Sequence, residues 1–321
     1  MLSLGTILMA AGLLLTAQVS SAPALVVTLG LLFSAGTGAT CFGIIMAAIT
    51  PVLGQRRASA VSGILNASSG VGASLLSPLM QAIQASAGVG TLLVFLSLPA
   101  LLLFPVCVWI TRVSGSFSKA DGQEQPDISG RLKEALRNPS YHRLMIGFGT
   151  CGFHMCIIHT HIFSQIVSYG IKESTASLAY TVFGLTSMAG AILCGFICQK
   201  IPMKNVLGVL YGTRAAIVAV FILLLPKTIF YVFLFIIILG MTGDATVTPT
   251  SEIISRRFGP ESLGLLFGIT YVCHQTGAFI SSWLGGIFIT NSGNYQAIWL
   301  FDIVLCTIAC AASFSIRKER P

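Results

Sequence analysis

Three histidines stand close together in an otherwise apolar part of the sequence. The segment GFHMCIIHTHIFSQ, residues 152–165, contains His154, His159 and His161. A neutral imidazole both donates and accepts a hydrogen bond and titrates near neutral pH, so it can bind a polar solute or relay a proton. On a helix His154 and His161 share one face, whereas His159 points elsewhere. The alternative is that each ring only bonds a carbonyl or hydroxyl group of a facing helix.

Six more polar or charged residues lie within apolar stretches: Asn66, Arg214, Asp244, His274, Gln275 and Asp302. A charge at the centre of a bilayer costs a few kcal/mol or more unless it is paired or hydrated. We therefore expect Arg214 to form a structural ion pair with Asp302, or with Asp244. The alternative is that its guanidinium fork binds the carboxylate of a solute. Asn66, His274 and Gln275 would supply further contacts to a solute or a proton.

Asp244 is the strongest candidate for proton transfer. It lies in GMTGDATVTPTSE, residues 240–252, with Thr248 and Ser251 on its helix face. A carboxyl group removed from bulk water favours its neutral form, which suits proton uptake and release. The alternative is a carboxylate that caps backbone groups beside Pro249.

Composition shows that the surroundings of these residues are lipid. Of 321 residues, 55% are hydrophobic and 9% are charged, and the mean hydropathy is +0.88. A soluble domain carries about 25% charged residues. Ten segments are long enough to cross a bilayer core about 30 Å thick. They are residues 2–20, 23–50, 59–86, 89–111, 142–169, 175–199, 205–225, 228–251, 262–288 and 294–316. The sequence thus predicts an all-α, polytopic membrane helical bundle.

The basic residues predict the orientation of this bundle. With residues 112–141 placed in the cytosol, Lys172 and Lys227 are the two of the 18 Lys and Arg that fall outside, and Arg214 lies within a span. Both termini are then cytosolic. We expect the protein to be a monomer in the plasma (inner) membrane of a bacterium. The net charge of +8 reflects this orientation and contact with anionic lipid, so it predicts no nucleic-acid partner.

The long polar stretch 112–141 is expected to be a cytosolic linker. It would join an N-terminal bundle of four helices, 1–111, to a C-terminal bundle of six, 142–321. A weak internal repeat supports two halves, because Arg56-Arg57 and Arg256-Arg257 each precede a glycine-bearing helix. Repeated bundles are the usual architecture of secondary transporters.

Several motifs in the C-terminal half occur in an order that is known from other transporters. They are GFH at 152–154 with His161, GFICQKIPMK at 195–204, YGTR at 211–214, FGITYVCHQTG at 267–277, and GNY at 293–295 followed by Trp299 and Asp302. Together they resemble the major facilitator superfamily, and within it bacterial monocarboxylate and oxalate/formate porters. Residues 195–204 stand where that family has its Gly-x-x-x-Asp-Arg-x-Gly-Arg-Lys loop signature, with Gln199 and Pro202 replacing Asp and Gly.

The resemblance implies two helical bundles that alternate access to a central cavity. The helix that carries His154, His159 and His161 and the helix that carries Asp244 correspond to cavity-lining helices of the family. Met1 corresponds to the start of the family's third helix, so we expect the first two helices to be missing, through a late start site, a degraded gene or a true ten-span protein. The family's anion-binding cations have no counterpart in 175–199, which contains no Lys or Arg. An organic anion and a neutral solute therefore both remain open as substrates.

The predicted function is proton-coupled secondary transport of a small organic solute, such as a monocarboxylate, by symport or antiport. We expect no enzyme activity, no cofactor and no bound metal. The nine cysteines lack zinc-ligand spacing, and no nucleotide-binding glycine loop with Lys-Ser/Thr is present. Two alternatives are a truncated, non-transporting remnant of the fold and an intramembrane enzyme with a histidine-bound metal.

Overall fold

Apolar residues in long, nearly uninterrupted runs make this chain almost entirely helical. The computed structural model describes residues 1–53, 55–120, 128–259 and 262–317, which form thirteen α-helices and no β-strand. The helices are α1 (Leu2–Thr16), α2 (Ala22–Leu25), α3 (Ser34–Ala39), α4 (Phe42–Leu53), α5 (Gln55–Ala120), α6 (Ile128–Arg137), α7 (Pro139–Ser168), α8 (Glu173–Ile197), α9 (Met203–Leu223), α10 (Ile229–Thr242), α11 (Val247–Phe258), α12 (Leu263–Ser292) and α13 (Gln296–Phe314). A π-helical segment, Val26–Phe33, joins α2 to α3, and a 3₁₀ turn, Asp244–Thr246, joins α10 to α11.

Seven helices of the described residues are long and apolar enough to cross a membrane. They are Ala22–Met46, Ile64–Val113, Glu173–Ile197, Met203–Leu223, Ile229–Phe258, Leu263–Ser292 and Gln296–Phe314. The second of these has 50 residues and corresponds to two predicted spans, 59–86 and 89–111. Gly88, between the two spans, leaves the helical conformation at φ 79°. The all-helical membrane bundle is confirmed, whereas the number of ten spans stays a prediction.

Two of the predicted spans fall outside these seven helices for different reasons. α1 has 15 residues and is shorter than a bilayer core requires. α7 has 30 residues and is long enough, but its histidines, serines and glutamine make it more polar than α8 and α9, which follow it.

The helices form two compact units. The first combines Met1–Ala58 with Pro78–Pro126, and the second combines Ser59–Ser77 with Asp127–Pro321. The first part of α5 therefore belongs with the C-terminal helices. The predicted division at 112–141 stays a prediction, and residues 121–127 of that linker lie outside the described residues.

Small residues let α1 approach the π-helical segment in the first unit. A Cβ atom on Gly12 would lie 2.7 Å from the backbone nitrogen of Phe33, so any larger residue would push the two segments apart. Nearby, the hydroxyl of Thr16 donates to Thr28 Oγ1 over 2.9 Å. Close packing of this kind, together with hydrogen bonds between helices, is what stabilises helix pairs in lipid.

α7 lies at the centre of the second unit and packs against α12 and α13. The backbones of α7 and α12 nearly touch, since a Cβ atom on Gly152 would overlap the carbonyl oxygen of His274, and one on Gly277 would overlap that of Gly149. α8 packs on α10, and α9 packs on α13. This arrangement brings α5, α8 and the junction of α10 with α11 together around Asp244.

Candidate functional site

A break in a membrane helix forms the centre of the candidate site. α10 ends at Thr242, and α11 begins at Val247 after the 3₁₀ turn. Gly243 departs from helical geometry with a ψ angle of −80°. Pro249 follows in the first turn of α11, where a backbone N–H has no acceptor within the helix, so the proline is tolerated there. Such discontinuous helices expose backbone polar groups and form binding sites in many transporters.

The Asp244 carboxylate lies at this break and is held by two serine hydroxyls. Its Oδ2 atom accepts a hydrogen bond from Ser69 Oγ over 2.6 Å and another from Ser187 Oγ over 2.8 Å. The Asn66 side-chain amide donates to the backbone carbonyl of Asp244 over 2.7 Å. Asp244 itself is half-buried, whereas Asn66 and Ser187 are buried. We define these four residues as the Asp244 site.

Two glycines position the serines of the Asp244 site. A Cβ atom on Gly70 would overlap the carbonyl oxygen of Gly184, so α5 and α8 approach backbone to backbone at this point. Ser69 and Ser187 lie one and three residues from these glycines, and both reach Asp244. Sequence reasoning selected Asn66 but missed Ser187, although the spacing of Gly184 and Ser187 puts both on one helix face.

Arg214 lies at the same break, on the buried side. Its side chain is fully buried, and Nη2 donates to the backbone carbonyls of Thr242 and, over 2.7 Å, of Gly243. The predicted ion pair of Arg214 with Asp302 or Asp244 does not occur among the described residues, and this corrects the prediction. The break frees two carbonyl groups, which engage Nη2 in place of a carboxylate, while Nε and Nη1 are buried without a hydrogen-bond partner among the described residues.

Asp302 instead pairs with His154. Their Oδ2 and Nδ1 atoms lie 2.8 Å apart, and both side chains are fully buried between α7 and α13. The indole ring of Trp299 packs edge-on against His154 at 6.2 Å between ring centres. His154, which was predicted to bind solute or protons, therefore has a buried carboxylate as its partner.

The other two histidines of the motif contact different helices. His159 Nδ1 bonds the hydroxyl of Tyr180 in α8, and its ring meets the edge of Phe183. His161 packs on α12, where a Cβ atom on Gly285 would overlap its ring, and it lies 6.2 Å from the ring of Tyr295. His154, His159 and His161 therefore do not converge on one point.

His274 and Gln275 lie on α12. His274 Nδ1 is 3.0 Å from Gln275 Oε1, and the imidazole stacks on Tyr271 with ring centres 5.3 Å apart. His274 is half-buried and Gln275 is exposed. The pair thus retains polar edges that a small solute could contact.

One group of side chains in the described part of the chain has the composition of a metal site. His154, Asp302 and Cys306 place their potential ligand atoms within 4.8 Å of one another, all buried. Nitrogen, oxygen and sulfur donors suit zinc, but a structural zinc site has four ligands. A direct hydrogen bond already joins His154 Nδ1 to Asp302 Oδ2 at this position. Outside this group, Glu252 and Arg256, four residues apart on α11, form an ion pair with a 2.6 Å contact.

Comparison with known proteins identifies the family. The sequence profile of the Major Facilitator Superfamily matches residues 1–237 and, in a second match, residues 161–321. The chain belongs to the Major Facilitator Superfamily. The family and its relatives indicate a membrane transporter rather than an enzyme, as the sequence predicted.

Three relatives illustrate the position of this facilitator in its family. YcxA, an uncharacterized MFS-type transporter of Bacillus subtilis (strain 168), is 25% identical over 248 residues, which are 75% of this chain and 60% of YcxA. The oxalate:formate antiporter of Oxalobacter formigenes is 25% identical over 324 residues, which are 100% of this chain and 76% of the antiporter. Human monocarboxylate transporter 12 is 22% identical over 350 residues, which are 99% of this chain and 67% of the relative. The facilitator thus spans 60% of the length of the first relative and 76% of that of the second.

Proposed function

We propose that this chain is a secondary active transporter that couples the movement of a small organic solute to that of protons. The single observation that carries the proposal is the carboxylate of Asp244 at a helix break, hydrogen-bonded by Ser69 and Ser187. Ionisable groups inside a membrane are costly and in general mark ion or substrate pathways. As in other members of the family, transport would proceed by alternating access.

Protonation of Asp244 would change the contacts between three helices. The carboxylate only accepts hydrogen bonds, and both serine hydroxyls donate to its Oδ2 atom. A proton on Oδ2 would make that atom a donor, so one serine would have to turn its hydroxyl or lose its contact, and a proton on Oδ1 would weaken Oδ2 as the acceptor of both bonds. Proton binding therefore alters how α5 and α8 hold the α10–α11 junction, which links protonation to helix movement.

We infer that the solute is a small organic anion. The oxalate:formate antiporter and monocarboxylate transporter 12 are named for such anions. Arg214 is buried at the helix break and engaged with backbone carbonyls, so His274 and Gln275 are the better candidates for contact with a carboxylate. A neutral solute remains the alternative, since the imidazole and amide groups also bind neutral molecules.

Uptake into proteoliposomes tests this function. Formate, oxalate and lactate would be supplied under an imposed pH gradient, and internal pH and radiolabel would be followed together. We expect solute-dependent proton movement in the natural protein. Asp244→Asn should reduce that movement by about tenfold or more, because the amide cannot take up and release a proton as a carboxylate does.

Glu252→Gln is the matched control, because Glu252 is a partly exposed carboxylate of the neighbouring helix α11. It should retain proton-coupled uptake. Full coupling in Asp244→Asn would disprove the role of Asp244. No uptake of any solute by folded natural protein would favour the non-transporting alternative.

A further inference from the structure

A pocket of about 500 Å³ lies within the second unit, away from the Asp244 site. It is bounded by α6, the start of α7, the end of α11 and the residues that follow α13. Four cationic side chains line it, against one carboxylate from Glu134: Lys133, Arg137, Arg257 and Arg317. This excess of positive charge around a cavity is suited to an anion.

The start of α7 adds to the positive potential of the pocket. Asn138 and Pro139 line the cavity, and α7 runs for 30 residues from this point. The Asn138 side chain caps the helix by accepting a hydrogen bond from the backbone N–H of Ser140. The first turn of a long helix carries about half a positive charge and presents N–H groups, and such helix ends often bind phosphate.

Arg257 offers a donor that is not used within the described residues. Its Nη2 atom donates to the carbonyl of Arg317 over 2.8 Å, which fixes the guanidinium at the wall of the pocket. Its Nε atom is buried and has no hydrogen-bond partner there. A buried donor without an acceptor is unfavourable, so an anionic oxygen at this position would stabilise the structure.

Three hydrogen bonds between α6, α7 and the start of α12 hold the pocket in shape. Arg131 of α6 donates to Ser262 Oγ over 2.9 Å, and His142 Nε2 bonds the carbonyl of Leu136 over 2.7 Å. Tyr141 donates to the carbonyl of Leu266 over 2.7 Å. The cationic side chains of α6 are thus presented by a helix that is anchored on two sides, which lowers the entropic cost of binding.

We propose that this pocket binds the phosphate group of an anionic phospholipid. Arg257 lies at the end of the span Ile229–Phe258, which places the pocket at the edge of the membrane. α6 is strongly amphipathic, and its Leu136 is 44% exposed, so that helix can lie along the lipid interface. Guanidinium groups match phosphate oxygens with two parallel hydrogen bonds. Basic pockets of this kind at the cytoplasmic edge of membrane helices suit lipid headgroups.

Native mass spectrometry of the purified full-length chain tests this site. Phosphatidylglycerol, phosphatidylcholine and inorganic phosphate would be titrated separately, and the bound mass counted. We expect one phosphatidylglycerol to bind preferentially. Lys133 and Arg137 are exposed, so both can be replaced without disturbing the core. The double variant Lys133→Glu with Arg137→Glu should weaken phosphatidylglycerol binding by about tenfold or more, since each basic residue near a lipid surface raises the binding constant by about a factor of five.

Two further variants separate charge from misfolding. Glu134→Gln removes the carboxylate and should tighten binding, which an unfolded protein cannot do. Lys200→Glu, an exposed lysine between α8 and α9, should leave it unchanged. Binding of inorganic phosphate alone, lost in the double variant, would support the phosphate site with a soluble source. Equal binding of phosphatidylcholine, or unchanged binding in the double variant, would overturn the proposal.

Discussion

Among single side chains, His154 and Asp302 show how a charge is accommodated in lipid. The two groups are fully buried and lie 2.8 Å apart, and Trp299 packs against the imidazole. The carboxylate engages Nδ1 of the imidazole, and Nε2 is buried without a hydrogen-bond partner among the described residues. The pair therefore stabilises the contact between α7 and α13, whereas Asp244, which is half-buried, remains the candidate for transport.

Removal of Asp302 should be costly. Asp302→Ala leaves the imidazole of His154 buried without its partner, and breaking a buried pair costs about 3–5 kcal/mol. The free energy of unfolding can be measured by denaturant titration in mixed micelles. Glu252→Ala is the matched control, because the Glu252–Arg256 pair is partly exposed and is worth less than about 1 kcal/mol. Equal losses in the two variants would contradict the buried pair.

A charge exchange discriminates between the observed and the expected partners of Asp302. The double variant Arg214→Asp with Asp302→Arg would allow an ion pair between positions 214 and 302 with the charges exchanged, but it would destroy both observed sets of contacts. We expect it to be less stable than either single variant. Recovery of stability in the double variant would mean that the two residues interact directly.

Among the helices, the crossing of α7 and α12 depends on the absence of side chains. A Cβ atom on Gly277 would overlap the carbonyl oxygen of Gly149, and backbone cannot move aside as a flexible side chain can. The same contact positions His274, whose own carbonyl faces Gly152. The close approach of these two helices therefore supports the polar residues of α12.

Gly277→Ala should destabilise the protein by about 1–3 kcal/mol, the usual cost of overpacking. Gly286→Ala in the same helix is its control, since a Cβ atom there meets nothing within 4 Å. It should be neutral or stabilise the helix by up to about 1 kcal/mol, because alanine is the better helix former. Thermal unfolding in detergent measures both, and similar melting temperatures for the two variants would refute the close crossing.

For the chain as a whole, the basic residues predict the side of the membrane on which each helix ends. Lys172 and Lys200 flank α8, whose 25 residues extend about 37 Å and exceed a bilayer core. In a cysteine-free version of the chain, Lys200→Cys should react with a membrane-impermeant thiol reagent from the cytosolic side. Lys172→Cys should react from the opposite side, and labelling of both from one side would overturn the orientation.

The sequence by itself was sufficient to predict the properties that depend on residues close to one another in the chain. Hydropathy identified the lipid surroundings and the all-helical bundle, and helical spacing separated His159 from His154 and His161. The order of motifs was enough to indicate the family that the profile match confirms. These features follow from local periodicity and composition, which the tertiary fold does not alter.

Only the tertiary structure decided which buried polar groups meet. His154 and Asp302 are 148 residues apart, and Ser187 reaches Asp244 across 57 residues, so no local pattern links them. Arg214 was assigned a carboxylate partner because the break after Thr242 could not be foreseen, and the break supplies two carbonyls instead. In lipid, water is not available as a partner for buried polar groups, so the packing of distant helices determines which partner is within reach.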